Sequence, residues 1–258
     1  MNDLLRLLDD AEASLLIRTG LGIAVMLGLV LLLQRLAGVG FKARAISAVA
    51  RAILQLGLAS VILSGVLNVP WTVVAVLLFM LSMASWTSAQ RIRGMPGGAQ
   101  AAVLGVAAGA VVAVGLVFGL GMMPWSTRNL IAIGGIIIGS SMTAATLAGR
   151  HFRSLAHARS GEVEAWWALG ANSSKAFATV AQEAVRDALI PNMDQTRSTG
   201  VVTLPGAFIG ALFGGSSPLE AARFQVVVLV GIMPAQTLTA IVVIRRLSRM
   251  TTLPAPEG

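Results

Sequence analysis

Two glutamates, two tryptophans and a glycine make the first chemical suggestion in this sequence. In the run Gly161-Glu162-Val163-Glu164-Ala165-Trp166-Trp167-Ala168-Leu169-Gly170-Ala171, the last glycine stands six positions after Glu164. A short helix with a charged rim, an aromatic knob and a small-residue turn suits a surface element that seats in a partner's groove. Glu162, Glu164 and Ala165 would form the rim and Gly170 the turn. Trp166 and Trp167 would be the anchors, because aromatic side chains dominate interface energies. The same spacing equally fits an interfacial helix whose tryptophans lie at lipid-headgroup level.

Polar side chains within apolar stretches form two further clusters. Arg51 and Gln55 share one helical face. Ser140, Ser141 and Thr143, together with Met142, form the other, with Thr146 one turn on. Both could line a path for a polar solute. Both also have structural explanations: an arginine near a membrane boundary snorkels, and Ser or Thr hydroxyls bond the preceding helical turn. The eleven methionines offer soft thioethers, but methionine in packed helices usually fills space. Small-residue pairs at Gly105/Gly109, Gly115/Gly119 and Gly135/Gly139 let helices approach closely. The triple Gly206/Gly210/Gly214 follows Leu204-Pro205. Proline frees a carbonyl and glycines allow bending, as either a moving, dimer-lining helix or a packed kink requires.

Several chemistries are excluded. There is no cysteine, hence no disulfide, thiolate metal site or thiol nucleophile. The two histidines, His151 and His157, lie in a basic loop, away from bilayer depth. No G-x-x-x-x-G-K-[ST] string is present, so the chain binds no ATP through a P-loop. No cofactor is expected on this chain, and any ATP and magnesium belong to a partner. The spans carry no Asp or Glu, which removes a carboxylate proton relay.

The elements that position these groups are membrane helices. Of the 258 residues, 56% are hydrophobic and 12% charged, and the mean hydropathy is +0.82. A soluble domain carries about 25% charged residues. A bilayer crossing takes about 20 apolar residues, and seven stretches qualify: 14–36, 45–67, 71–89, 101–122, 129–149, 199–215 and 224–244. The expected fold is an all-α polytopic membrane protein of about seven transmembrane helices. It forms one membrane domain over 1–258, with a cytoplasmic helical coupling insert (about 150–198) between spans five and six. Turn residues fill the gaps: Ala37-Gly38-Val39-Gly40, Asn68-Val69-Pro70, Gly94-Met95-Pro96-Gly97-Gly98 and Ser216-Ser217-Pro218. The shortest stretch, 199–215, contains Pro205.

In the insert, Phe177, Val180, Ala181, Ala184, Val185, Ala188 and Leu189 recur at helical spacing, opposite a polar face. The pattern predicts an amphipathic helix capped by Asn172 or Ser173 and ended by Pro191. Of the 19 Lys and Arg, only Arg6, Arg18, Arg128 and Arg223 fall on one face of a seven-span arrangement. The positive-inside rule then places the N-terminus outside and the C-terminus in the cytoplasm. The net charge of +8 reflects this bias rather than nucleic-acid binding. The acidic segment before Ala13 lacks the basic region of a signal peptide. Leu4, Leu7 and Leu8 could lie along the membrane surface.

The carboxyl half resembles the FetB-type ABC permease family, which includes plant aluminium-tolerance half-transporters. The matching residues begin with Glu162-Val163-Glu164-Ala165, Ala168-Leu169-Gly170-Ala171 and Leu189-Ile190-Pro191. They continue through Val202-Thr203-Leu204-Pro205-Gly206, Gly210, Gly214-Gly215 and Pro218-Leu219-Glu220-Ala221-Ala222-Arg223-Phe224-Gln225. In the amino half, Arg51-Ala52-Ile53-Leu54-Gln55-Leu56 and Gly139-Ser140-Ser141-Met142 resemble family segments, while spans one and four match only in hydropathy. The resemblance implies a homodimeric permease of the bacterial inner membrane, surrounded by lipid and coupled through the Glu162 to Ala171 segment to a separate FetA-like ATPase. It implies a unit of two permeases and two ATPases, with iron export and metal homeostasis as the associated role. Ala207, Phe208, Ile209 and Ala211 depart from the family's Met, Thr and Gln, and Ser140 and Thr143 replace amides. These changes remove candidate metal ligands. Two other expectations stay open: an importer permease served by a periplasmic binding protein, and a passive channel or membrane scaffold.

Overall fold

Glycine and proline divide the apolar chain into helices. The computed structural model describes residues 2–38, 44–66 and 70–254. Val39, Gly40, Lys42, Asn68 and Val69 of the expected turns and basic loop lie outside the described residues, as do the side chains of Leu4, Leu7 and Leu8. The chain divides into two compact units, Met1–Asn68 and Val69–Gly258. The first holds α1 (Asn2–Leu36) and α2 (Arg44–Val66).

The second unit contains α3 (Pro70–Ile92), α4 (Gly98–Gly119), α5 (Thr127–Ala158), α6 (Ser160–Ala168), α7 (Ser173–Ala176), α8 (Ala178–Ser198), α9 (Gly206–Phe213) and α10 (Pro218–Leu247). Among the described residues the regular elements are all helices, apart from one isolated bridge between Thr199 and Thr203. Contacts fix the helix directions. Leu77 packs at Gly134 and Ile92 at Gly149, so α3 runs parallel to α5. Ile137 meets α10 at Gly231, while Val243 and Ala235 meet α4 at Gly105 and Gly109, so α4 runs antiparallel to α10. Lipid tails are as apolar as leucine, so burying apolar surface does not drive helices together in a bilayer. Close packing must hold this bundle. Through Ala113 the buried face of α4 is accordingly small (Gly98, Ala101, Ala102, Gly105, Val106, Gly109, Ala110 and Ala113), and the larger Val117 and Phe118 are buried at its end. Thr239 Oγ1 donates to the Gly105 carbonyl at 3.0 Å across this seam.

Helix ends follow local chemistry. Ser126 caps α5 by accepting from Asn129 N. Ser217 and Glu220 form a reciprocal capping box with Pro218 at the first turn of α10.

Three expectations are corrected. His151 and His157, expected in a loop, lie within the C-terminal end of α5. Stretch 199–215 is not a continuous span. Six helices are long and apolar enough to cross a membrane among the described residues, and none lies there. Gly200 takes φ +89°, and Gly200 N donates to Thr203 O in a tight turn. Pro205 is extended at ψ 145° and starts α9, whose eight residues span about 12 Å, far short of a bilayer core of about 30 Å. Apolar composition produced the expectation, but Gly and Pro content breaks the helix.

The chain nevertheless returns along the bundle here. Phe177 packs on Phe152 near the end of α5, whereas Ala207, Gly210 and Gly214 share a cavity with Arg128 and Ile136 near its start. Helix α8, the turn and α9 together make this passage discontinuous. The third correction concerns Pro191, which lies inside α8 rather than ending it. Its missing N–H orphans only the Asp187 carbonyl, and Pro191 itself is exposed. The expected Asn172 cap is present, on the one-turn helix α7.

Candidate partner-docking site

Helix α6 turns the glutamate–tryptophan segment into a projecting element. Its end is a Schellman closure: Gly170 N donates to Trp167 O and Ala171 N to Trp166 O, both at 2.9 Å. That geometry needs a left-handed residue, and Gly170 takes φ +79°. A Cβ there would be strained by about 1–2 kcal/mol.

The base of α6 is tied to the bundle. Arg159 Nη2 donates to both carboxylate oxygens of Glu183 at 2.7 and 2.8 Å, joining the end of α5 to α8. Arg159 Nη1 lies 3.6 Å from Glu162, and Thr179 Oγ1 donates to Glu162 at 3.2 Å. Val163 is fully buried beneath them. Glu162 is therefore tied to its own chain, at the exposed base of the helix. The Arg159–Glu183 pair is about one-third exposed, so solvent screens it. Arg159→Ala should lower stability by no more than about 1 kcal/mol. Thermal unfolding in detergent of Arg159→Ala, Glu183→Ala and the double variant checks this, the expected coupling being of the same size.

The tryptophans also point toward the body. Trp167 meets Phe177 edge-on at 5.6 Å, and Phe177 in turn packs on Phe152 at 5.3 Å. Trp166 lies under the Lys175 ammonium, 5.0 Å from its ring centroid. Both rings are half-buried against the core. Beyond Gly161 and Glu162 at the base, the exposed surface of the element is Glu164, Ala165, Ala168, Leu169 and Gly170. Leu169, 80% exposed, is the apolar knob at the tip. Sequence reasoning passed over it because an apolar residue beside two tryptophans carries no distinguishing signal.

The candidate path residues divide between the units. Arg51 and Gln55 lie one turn apart on α2 in the first unit, both exposed. In the second, Ser140 and Met142 on α5 are half-buried, Thr143 is exposed and Ser141 is buried. Thr143 Oγ1 donates to Gly139 O, and Thr146 Oγ1 and Ser88 Oγ both donate to Met142 O. The hydroxyl of Ser141 and the side-chain oxygens of Gln225 and Gln236 are buried with no hydrogen-bond partner among the described residues. Gln236 and Thr239 belong to no sequence motif. Among the described residues, no three His, Asp or Glu side chains gather as a metal cluster.

The glycine motifs separate on geometry. At Gly105 and Gly109 an added Cβ would strike α10, and at Gly135 it would touch Met80. At Gly115, Gly119, Gly139, Gly206 and Gly210 it meets nothing among the described residues, and at Gly214 only the α9 backbone. Pro205 and the glycine triple thus belong to a short helix that borders a cavity.

Comparison with known proteins places this architecture. No solved structure matches the chain. The chain is 33% identical over 205 residues to the UPF0014 membrane protein STAR2 of Oryza sativa subsp. japonica, covering 78% of this chain and 72% of the relative. Protein ALUMINUM SENSITIVE 3 of Arabidopsis thaliana is 33% identical over 199 residues, covering 76% and 72%. The "probable iron export permease protein FetB" of Escherichia coli (strain K12) is 26% identical over 196 residues, covering 75% and 76%. The model of UPF0014, described as an uncharacterised protein family, matches residues 18–251. With apolar helices of spanning length, a nearly all-helical fold and matches along most of its length, this chain is a polytopic membrane protein of the UPF0014 family.

Proposed function

We propose that this chain is the membrane subunit of an ABC transporter. In this reading it is a permease acting as a homodimer with two copies of a separate FetA-like ATPase. It resides in the bacterial inner membrane with its N-terminus outside and its C-terminus in the cytoplasm. ATP and magnesium bind the partner, and this chain performs no catalysis. The observation that carries the reading is the α6 projection. A helix clamped at its base by Arg159, Glu162 and Glu183, and closed at Gly170, offers Glu164, Ala165, Ala168 and Leu169 outward. Such an element can transmit force because buried Val163 and the Trp167–Phe177 contact seat it against the bundle. The name of the Escherichia coli relative supports export of an iron-like metal ion as the role, and a small solute is the alternative cargo.

Purification from native membranes in mild detergent tests the proposal. A stoichiometric P-loop ATPase should accompany the chain, and a periplasmic binding protein found with it would point to import. The chain contains no cysteine, so Ala165→Cys supplies a single reactive thiol at the exposed rim. A crosslinker at that position should capture the ATPase. An intact chain that neither co-purifies with an ATPase nor crosslinks to one overturns the reading in favour of a channel or scaffold.

A further inference from the structure

A cavity of about 670 Å³ lies where α9 meets the first turns of α5 and α10. That volume is typical of small-molecule sites. Its lining divides by chemistry. Ala132, Ile136, Ala207, Ala211 and Phe224 form an apolar floor, and Gly210 contributes no side chain to fill it. Arg128 and Arg223 stand on the polar side. Neither guanidinium forms an ion pair with a described residue. The acid in the lining, Glu220, is committed elsewhere: its Oε2 accepts from Ser217 N and Ser217 Oγ, both at 2.9 Å. Two guanidinium groups against one engaged carboxylate leave the cavity with positive charge. A bare metal cation would be repelled there. A phosphate is the natural partner of guanidinium groups, two exposed ones line this cavity, and the floor suits a hydrocarbon chain.

We propose that this cavity binds an anionic amphiphile, with a phosphate-bearing headgroup held by Arg128 and Arg223 and its apolar part on the floor between α5 and α9. The charge count assigns this end of the bundle to the outside, so the ligand comes from the outer leaflet or as a soluble amphiphile. Any role in transport rests on the permease reading, but binding is measured on this chain alone and survives failure of that reading.

The test is native mass spectrometry of the detergent-purified chain, titrated with dioctanoyl phosphatidic acid, dioctanoylglycerol and inorganic phosphate. Phosphatidic acid should bind one per chain at a concentration roughly tenfold or more below that for dioctanoylglycerol, the scale of charge-assisted contacts. Arg128→Gln with Arg223→Gln should abolish that advantage. Arg245→Gln with Arg246→Gln, at the opposite end of α10, should leave it intact. Ala132→Phe fills the floor and should weaken phosphatidic acid without weakening phosphate. Equal binding of the two lipids, or an advantage that survives the Arg128/Arg223 double variant, overturns the proposal. Phosphate binding as tight as phosphatidic acid and indifferent to Ala132→Phe would assign the cavity to small soluble anions and overturn the amphiphile.

Discussion

Gly109→Ala should destabilise the second unit by about 1–3 kcal/mol, the usual scale of overpacking in a well-packed interior. The added methyl lands on the Thr239 side chain and 2.5 Å from the Ala235 carbonyl oxygen. The carbonyl is backbone and cannot turn aside. Thr239 would have to rotate, and its hydrogen bond to Gly105 O would be lost from a fully buried site. An unsatisfied buried group adds about 1–3 kcal/mol. Gly115→Ala makes the same chemical change on the same helix, where the new Cβ meets no described residue. It should be neutral or slightly stabilising, because alanine is the better helix former by about 1 kcal/mol. Thermal unfolding of the two variants in one detergent decides the matter. Equal melting temperatures would show that α4 and α10 are not in contact at Gly109.

Leu169→Asp should have the largest functional effect. Leu169 is the exposed apolar group at the end of a clamped helix, and the Schellman closure at Gly170 holds it there. Interface hot spots lose about 2 kcal/mol or more on truncation, equivalent to roughly thirtyfold in affinity. A buried carboxylate in place of leucine should do at least that. The expected result is loss of ATPase co-purification and of transport, with an unchanged melting temperature. Glu164→Lys should act in the same direction through charge, uncoupling transport without unfolding the spans. Trp167→Ala provides the contrast. Its ring packs on Phe177, so its removal should lower the melting temperature before it alters partner binding. Normal ATPase stimulation by both Leu169→Asp and Glu164→Lys would remove α6 from the coupling surface.

Much of the fold was legible in the residues because its determinants are local or one-dimensional. Where no turn interrupts it, hydropathy over about 20 residues identifies a span whatever packs beside it, and stretches 129–149 and 224–244 sit inside α5 and α10. Asn172 and Ser217 are caps for reasons contained within a few residues. The alanine-rich stripe of α8 is buried at Val180, Ala184 and Ala188, because helical periodicity alone selects that face.

What local pattern could not decide was which of several equal candidates finds a partner. Gly105/Gly109 and Gly115/Gly119 are the same motif on one helix, yet only the first pair meets α10. The glutamate–tryptophan segment read as a helix with aromatic anchors. Packing on Phe177 and the Lys175 contact turn both rings toward the chain and leave Leu169 at the tip. Stretch 199–215 has the hydropathy of a span, but its Gly and Pro break the helix, and α8 and α9 share the passage instead. Arg128 and Arg223 are 95 positions apart and share a cavity because α5 and α10 begin at the same end of the bundle. Composition determined that this chain lives in a membrane. The tertiary structure decided which faces close on one another and which stay open, because contact between distant segments depends on helix direction and depth, which no local spacing encodes.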